Sequence, residues 1–288
     1  MAAIKLNPDL LAYVADPSAE KRAQIANAVG RYFSTGAVDH GDREWVQQVL
    51  EQLLADTEVY VRHAVSVQLC ETPLLPTSWA LQLAQDVDKV AAPVLRHSPV
   101  FTDDELVRLA RSGSPGKLHA ISKRPAVSDR VGAALVDHGD GRVVTSLLRN
   151  PGAELSDDTM TQALQRHPDD DEVHRGFLTR GELPPDLLLK LAIQANDEVR
   201  RELIGSFGIP RGIVDQIVNS VPDAEEDTVA VGNTAARVRG VLNYYVANEE
   251  NRVVLGTGNK AEALTGYFTK YGDQAVDCNP IGNLYKQQ

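Results

Sequence analysis

The chain has 288 residues, 43% of them hydrophobic, and a formal net charge of −11; that is length for one large or two modest domains, and two are expected. So acidic a chain lacks the basic face that displaces counterions, which excludes nucleic acid and anionic membranes as partners, and no apolar run approaches the ~20 residues that span a bilayer. Cys70 and Cys278 lie far apart with no C-x-x-C spacing, and the N-terminus has no signal-peptide pattern, so neither a disulfide framework nor a zinc site is suggested and a cytoplasmic setting is expected.

From Leu6 to about Leu203 the spacing predicts helix after helix. Apolar residues recur at three- and four-residue steps in Trp45-Val46-Val49-Leu50-Leu53-Leu54 and in Val61-Ala64-Val65-Val67-Leu69. Start signals accompany them: Ser78 before Trp79, Thr102 with Glu105 at capping-box spacing, and Ser156 before Asp157-Asp158. Pro73, Pro99, Pro125 and Pro151 recur every 26 residues, each after an apolar helix end. A proline there stops one helix and the next polar cap starts another, which gives a helix pair per unit. One pair cannot bury its apolar face alone, so the pairs are expected to stack as an α-solenoid. A degenerate fifth unit is expected where Leu178-Thr179-Arg180-Gly181 replaces the proline and Pro184-Pro185 opens its second helix.

The stretch Asp86 to Leu95, with Ala120-Ile121-Ser122-Lys123-Arg124 and Val143 to Asn150, resembles a bacterial HEAT-like helical-repeat family with no assigned activity. The resemblance covers roughly residues 5 to 205 and implies a fold whose usual use is binding protein. Candidate chemistry in this half reads as structural. His167 to His174, with four acids between, is read as a solvated turn whose acids cap a helix. Ser112-Gly113-Ser114-Pro115-Gly116-Lys117 lacks phosphate-loop spacing and is read as a turn. His97, His119 and His138 sit near helix ends, where a cation is favourable.

After Ile209 the character changes. Residues 209–221 form a connector, the acidic run from Pro222 to Asp227 follows it, and the text beyond alternates helix and strand. Residues Ala235 to Asn248 have helical spacing, Arg252-Val253-Val254-Leu255 reads as a short buried strand, and Lys260 to Phe268 begins another helix. The Gly256-Thr257-Gly258 turn lies at the strand's carboxyl end, where ligands gather in α/β sheets.

Residues 222 to 288 resemble ammonia-dependent NAD synthetases almost continuously. The match runs through Val231-Gly232-Asn233, Ala236-Arg237-Val238-Arg239, Gly256-Thr257-Gly258-Asn259-Lys260-Ala261-Glu262, Gly266 to Asp273, and Asn279-Pro280-Ile281-Gly282-Asn283-Leu284-Tyr285-Lys286. The resemblance implies a partial, adenine nucleotide hydrolase-like α/β segment that uses ATP and Mg2+. It implies ATP contacts at Thr257 and Lys286, deamido-NAD contacts at Arg237, Lys270 and Asp277, and a Mg2+ ligand at Glu262, where a hard cation wants carboxylate oxygen.

The family's reaction adenylates the nicotinate carboxylate of deamido-NAD, and ammonia then displaces AMP. Its pyrophosphate-wrapping loop, of Ser-Gly-Gly-x-Asp-Ser type, has no counterpart here, and the chain stops at Gln288 where the family continues. The expectation is a mainly α protein with a helical-repeat domain at 1–208, a connector at 209–221 and a catalytically impaired synthetase-like segment at 222–288. Its expected partners are deamido-NAD, a protein bound by the solenoid, and a second copy of the chain. The competing reading is a non-enzymatic interaction scaffold.

Overall fold

The computed structural model describes residues 16–207, apart from 17, 37, 39–41 and 182. Among the described residues there are thirteen α-helices and no strand. They are α1 (Ala19–Ser34), α2 (Arg43–Leu54), α3 (Val59–Leu69), α4 (Thr77–Gln85), α5 (Asp88–His97), α6 (Asp103–Ser112), α7 (Pro115–Ser122), α8 (Asp129–His138), α9 (Gly141–Leu148), α10 (Asp157–Arg166), α11 (Asp171–Leu178), α12 (Pro185–Gln194) and α13 (Asp197–Phe207). The connector and the α/β elements expected after Ile209 lie outside the described residues. The chain divides into two units, Met1–Thr159 and Met160–Gln288.

In the first unit the helices pack in pairs and in register. Helix α4 packs on α5, α6 on α7 and α8 on α9, while α1, α3, α5, α7 and α9 each pack on the next in that series. The four periodic prolines fall in the turns that follow α3, α5, α7 and α9. Leu69, Leu95, Ile121 and Leu147, at matching positions of the 26-residue period, are all fully buried. Each is a core residue of a helix too short to be stable by itself, so stability comes from the neighbour's apolar face.

Polar side chains tie one repeat to the next. Arg124 is 9% exposed and donates from Nη1 to the Leu95 carbonyl (2.7 Å) and from Nη2 to the Ser98 carbonyl (2.8 Å), closing the C-terminus of α5. Asn150 stands 26 residues on and does the same for α7, donating from Nδ2 to the carbonyls of Ser122 (2.9 Å) and Arg124 (2.8 Å). Arg22 clasps Asp56 through two hydrogen bonds, and Arg62 clasps Asp86 in the same way two helices later.

The turns after α7 and α9 are joined by a parallel bridge between Val127 and Ala153. The Val127 amide donates to the Gly152 carbonyl (3.0 Å) and the Glu154 amide to the Val127 carbonyl (2.9 Å).

Two expected helix starts hold. Thr102 and Glu105 form the full capping box of α6, and Ser156 accepts from the Thr159 amide. The start at Ser78 does not: α4 begins at Thr77 with Pro76 at its cap and no side-chain bond. Proline's fixed φ opens a helix without a capping oxygen. Pro184 and Pro185 do open a helix, α12, but in chain order it is the first helix after the Leu178–Gly181 turn rather than the second, with α13 following it.

In the second unit α11 packs on α13. Arg175 reaches Glu172, Glu198 and Glu202, and Asn196 bonds Asp171 across one repeat. His174 is fully buried in α11, with no hydrogen bond of standard geometry to either ring nitrogen.

Candidate functional site

The residues matched to nucleotide binding, Arg237, Thr257, Glu262, Lys270, Asp277 and Lys286, all lie outside the described residues. The candidates of the helical half behave as structural groups. Asp170 caps α11, accepting from the amides of Glu172 (3.0 Å) and Val173 (3.2 Å). Ser114 caps α7 and donates to Asp88 across one repeat, so the Ser112–Lys117 stretch is the end of α6, the Gly113-Ser114 turn and the first turn of α7. His97 and His138 end α5 and α8, and His119 lies in the last turn of α7.

The structure brings together a set of residues that the sequence reading had not joined. A concavity of about 610 Å³ opens on α3, α5 and α7. Lys89, Arg96, Lys123, His63, His97 and His119 line it, around Val67, Ala92, Pro93 and Ala120, with Glu71 as its one carboxylate. The repeat assembles it: His63 and Lys89, His97 and Lys123, and Pro93 and His119 are each one 26-residue period apart. Pairing basic residues at that period along the sequence is the signal that finds it.

Local chemistry fixes its parts. Pro93 has no amide hydrogen for the Lys89 carbonyl four residues earlier, and His63 Nδ1 donates to that oxygen instead, at 2.8 Å. His97 Nδ1 stands 4.0 Å from Glu71. Burial pushes the His119 pKa below the usual imidazole value, and the charges of Lys123, Arg142 and Arg96 add to it. Cys70, 7% exposed, has its thiol pushed up by burial and by Glu71, so it is held as a thiol rather than a reactive thiolate.

Residues 90–254 match the sequence model of a family described as uncharacterised proteins conserved in bacteria, DUF2336. The match spans more than half of the chain, so the chain belongs to that family. A different relationship covers a smaller share. Over 75 residues the chain is 69% identical to the NH(3)-dependent NAD(+) synthetase of Halobacterium salinarum, covering 26% of this chain and 28% of that one. It is 44% identical over 95 residues to the same enzyme of Aeropyrum pernix, covering 30% and 33%, and 53% identical over 76 residues to that of Methanosarcina mazei, covering 26% and 30%. The chain thus spans about a third or less of the curated relatives it matches. No solved structure matches. No helix among the described residues is long and apolar enough to cross a membrane.

Proposed function

We propose that the chain joins a helical-repeat solenoid, residues 1–208, through a connector at 209–221 to a synthetase-like segment, 222–288, that binds the nucleotide substrates of NAD synthesis. The observation that carries this is the 69% identity over 75 residues to an NAD synthetase. Arg237, Lys270 and Asp277 hold deamido-NAD. Thr257 and Lys286 contact ATP, and the Glu262 carboxylate offers Mg2+ a hard oxygen ligand, a donor that fits the ion but is only part of a coordination sphere. Bound Mg2+ would offset phosphate charge. Lacking the pyrophosphate-wrapping loop, the segment binds better than it turns over. Isothermal titration of the full chain with ATP-Mg2+ and deamido-NAD tests this: saturable heat is expected, and no heat at millimolar ligand overturns it.

The helical half supports a second reading, a protein-interaction module. The large hydrophobic residues exposed in it, Val59, Tyr60, Val67, Leu74 and Val87, fall within one stretch of the first unit. Cross-linking on the full chain should yield a discrete partner that Tyr60→Asp/Leu74→Asp loses; an unchanged adduct would overturn this reading.

A further inference from the structure

The concavity on α3, α5 and α7 carries charge opposite in sign to the chain. The side chains of Lys89, Arg96 and Lys123 make no hydrogen bond or ion pair with the other described residues, and Glu71, beside His97, is the one carboxylate among the residues that line the groove. In a chain of net charge −11 such a local excess attracts anions, because exposed cations without partners leave their field unspent.

The shape narrows the class of anion. Lys89 lies in the first turn of α5 and Arg96 in its last, with Lys123 one period beyond His97. Between these cations lies an apolar strip of Val67, Ala92, Pro93 and Ala120. A lone phosphate would leave most of about 610 Å³ unfilled and the strip uncovered. Nucleic acid would add its repulsion from the remaining acidic surface. An extended peptide crossing successive repeats meets both the cations and the apolar side chains of the lining.

We infer that this groove receives an acidic peptide segment of a protein partner, carboxylates on Lys89, Arg96 and Lys123 and an apolar side chain over Val67 and Pro93. The inference rests on the reading of the helical half as an interaction module and names its ligand. The test is fluorescence anisotropy of the full chain with labelled Glu-Glu-Leu-Glu-Glu-Leu-Glu-Glu, its glutamine analogue, and a single-stranded oligonucleotide.

The acidic peptide should bind, and the glutamine analogue should bind about tenfold more weakly or worse. Arg96→Glu/Lys123→Glu should weaken the acidic peptide by a similar factor. Arg108→Glu/Arg111→Glu, on α6 away from the groove and equal in charge change, should leave it within about twofold. All four sites are exposed, so melting temperatures should match the parent. Failure of the acidic peptide to bind, equal binding of the analogue, equal loss in the α6 variant, or tighter binding of the oligonucleotide each overturns the inference. A cross-linked partner lost by Tyr60→Asp/Leu74→Asp but kept by Arg96→Glu/Lys123→Glu would overturn the groove and leave the module standing.

Discussion

His63 Nδ1 donates a 2.8 Å hydrogen bond to the carbonyl oxygen of Lys89, one period away. That oxygen is free because Pro93 lacks the amide that would bond it inside α5. His63→Ala should therefore cost about 0.5–1.5 kcal/mol. Pro93→Ala restores the helical bond, so the cost of losing His63 should shrink in that background; a denaturation cycle of the four proteins measures the coupling. Equal costs in both backgrounds would show that Pro93 is not why His63 sits there.

Arg124 should be among the least replaceable polar residues of the first unit. Burial depresses its pKa with only the distant charge of Asp103 opposing, and its two carbonyl partners have no substitute donor. Arg124→Ala should cost about 2–4 kcal/mol by urea unfolding, and Arg124→Lys should recover little, because one ammonium cannot span both oxygens as the fork does.

Gly152 marks the closest approach between two turns. A Cβ there would lie 1.9 Å from the Pro125 carbonyl oxygen, a backbone atom that cannot swing away. Gly152→Ala should break the Val127–Ala153 bridge and lower the melting temperature by several degrees, about 2–4 °C for each kcal/mol lost. Gly181→Ala, with nothing within 4 Å, is the matched control.

Two groups make stability fall on acidification, each in its own pH window. The Arg62 hydrogen bonds hold Asp86 below the usual carboxylate range, against burial, so the pair stabilises above about pH 4 and its contribution is lost as pH falls through the lower folded pKa. Asp86→Asn should weaken the fold at neutral pH and flatten the acid limb. Burial holds His174 below the usual imidazole value, against Asp171, Asp170, the Pro168 carbonyl and Asp169. The unfolded chain then binds a proton below about pH 6.5 that the folded chain refuses, so stability falls with pH there. His174→Leu should remove that fall and cost little at neutral pH, since no good hydrogen bond is lost.

Much of this was legible in the sequence and some was not, for reasons that separate cleanly. Pro99, Pro125 and Pro151 announce helix ends because the missing amide acts locally, and Thr102 with Glu105 announces a start because a capping box spans four residues. Arg124 and Asn150 look like surface polar residues in the sequence; only the stacking of repeats sets them beneath a neighbour's carbonyls. The groove is hidden for the same reason, since Lys89, Arg96 and Lys123 converge only once α3, α5 and α7 pack in register. The nucleotide-site residues from Arg237 to Lys286 rest on motif resemblance and on partial identity to NAD synthetases.

The most direct measurement is calorimetric titration of deamido-NAD into the full chain beside its Lys270→Ala variant, both with ATP-Mg2+ present. The account predicts saturable binding that weakens about tenfold or more in the variant, the loss of a charged contact to a polyanion. Superimposable isotherms, with or without heat, would contradict it.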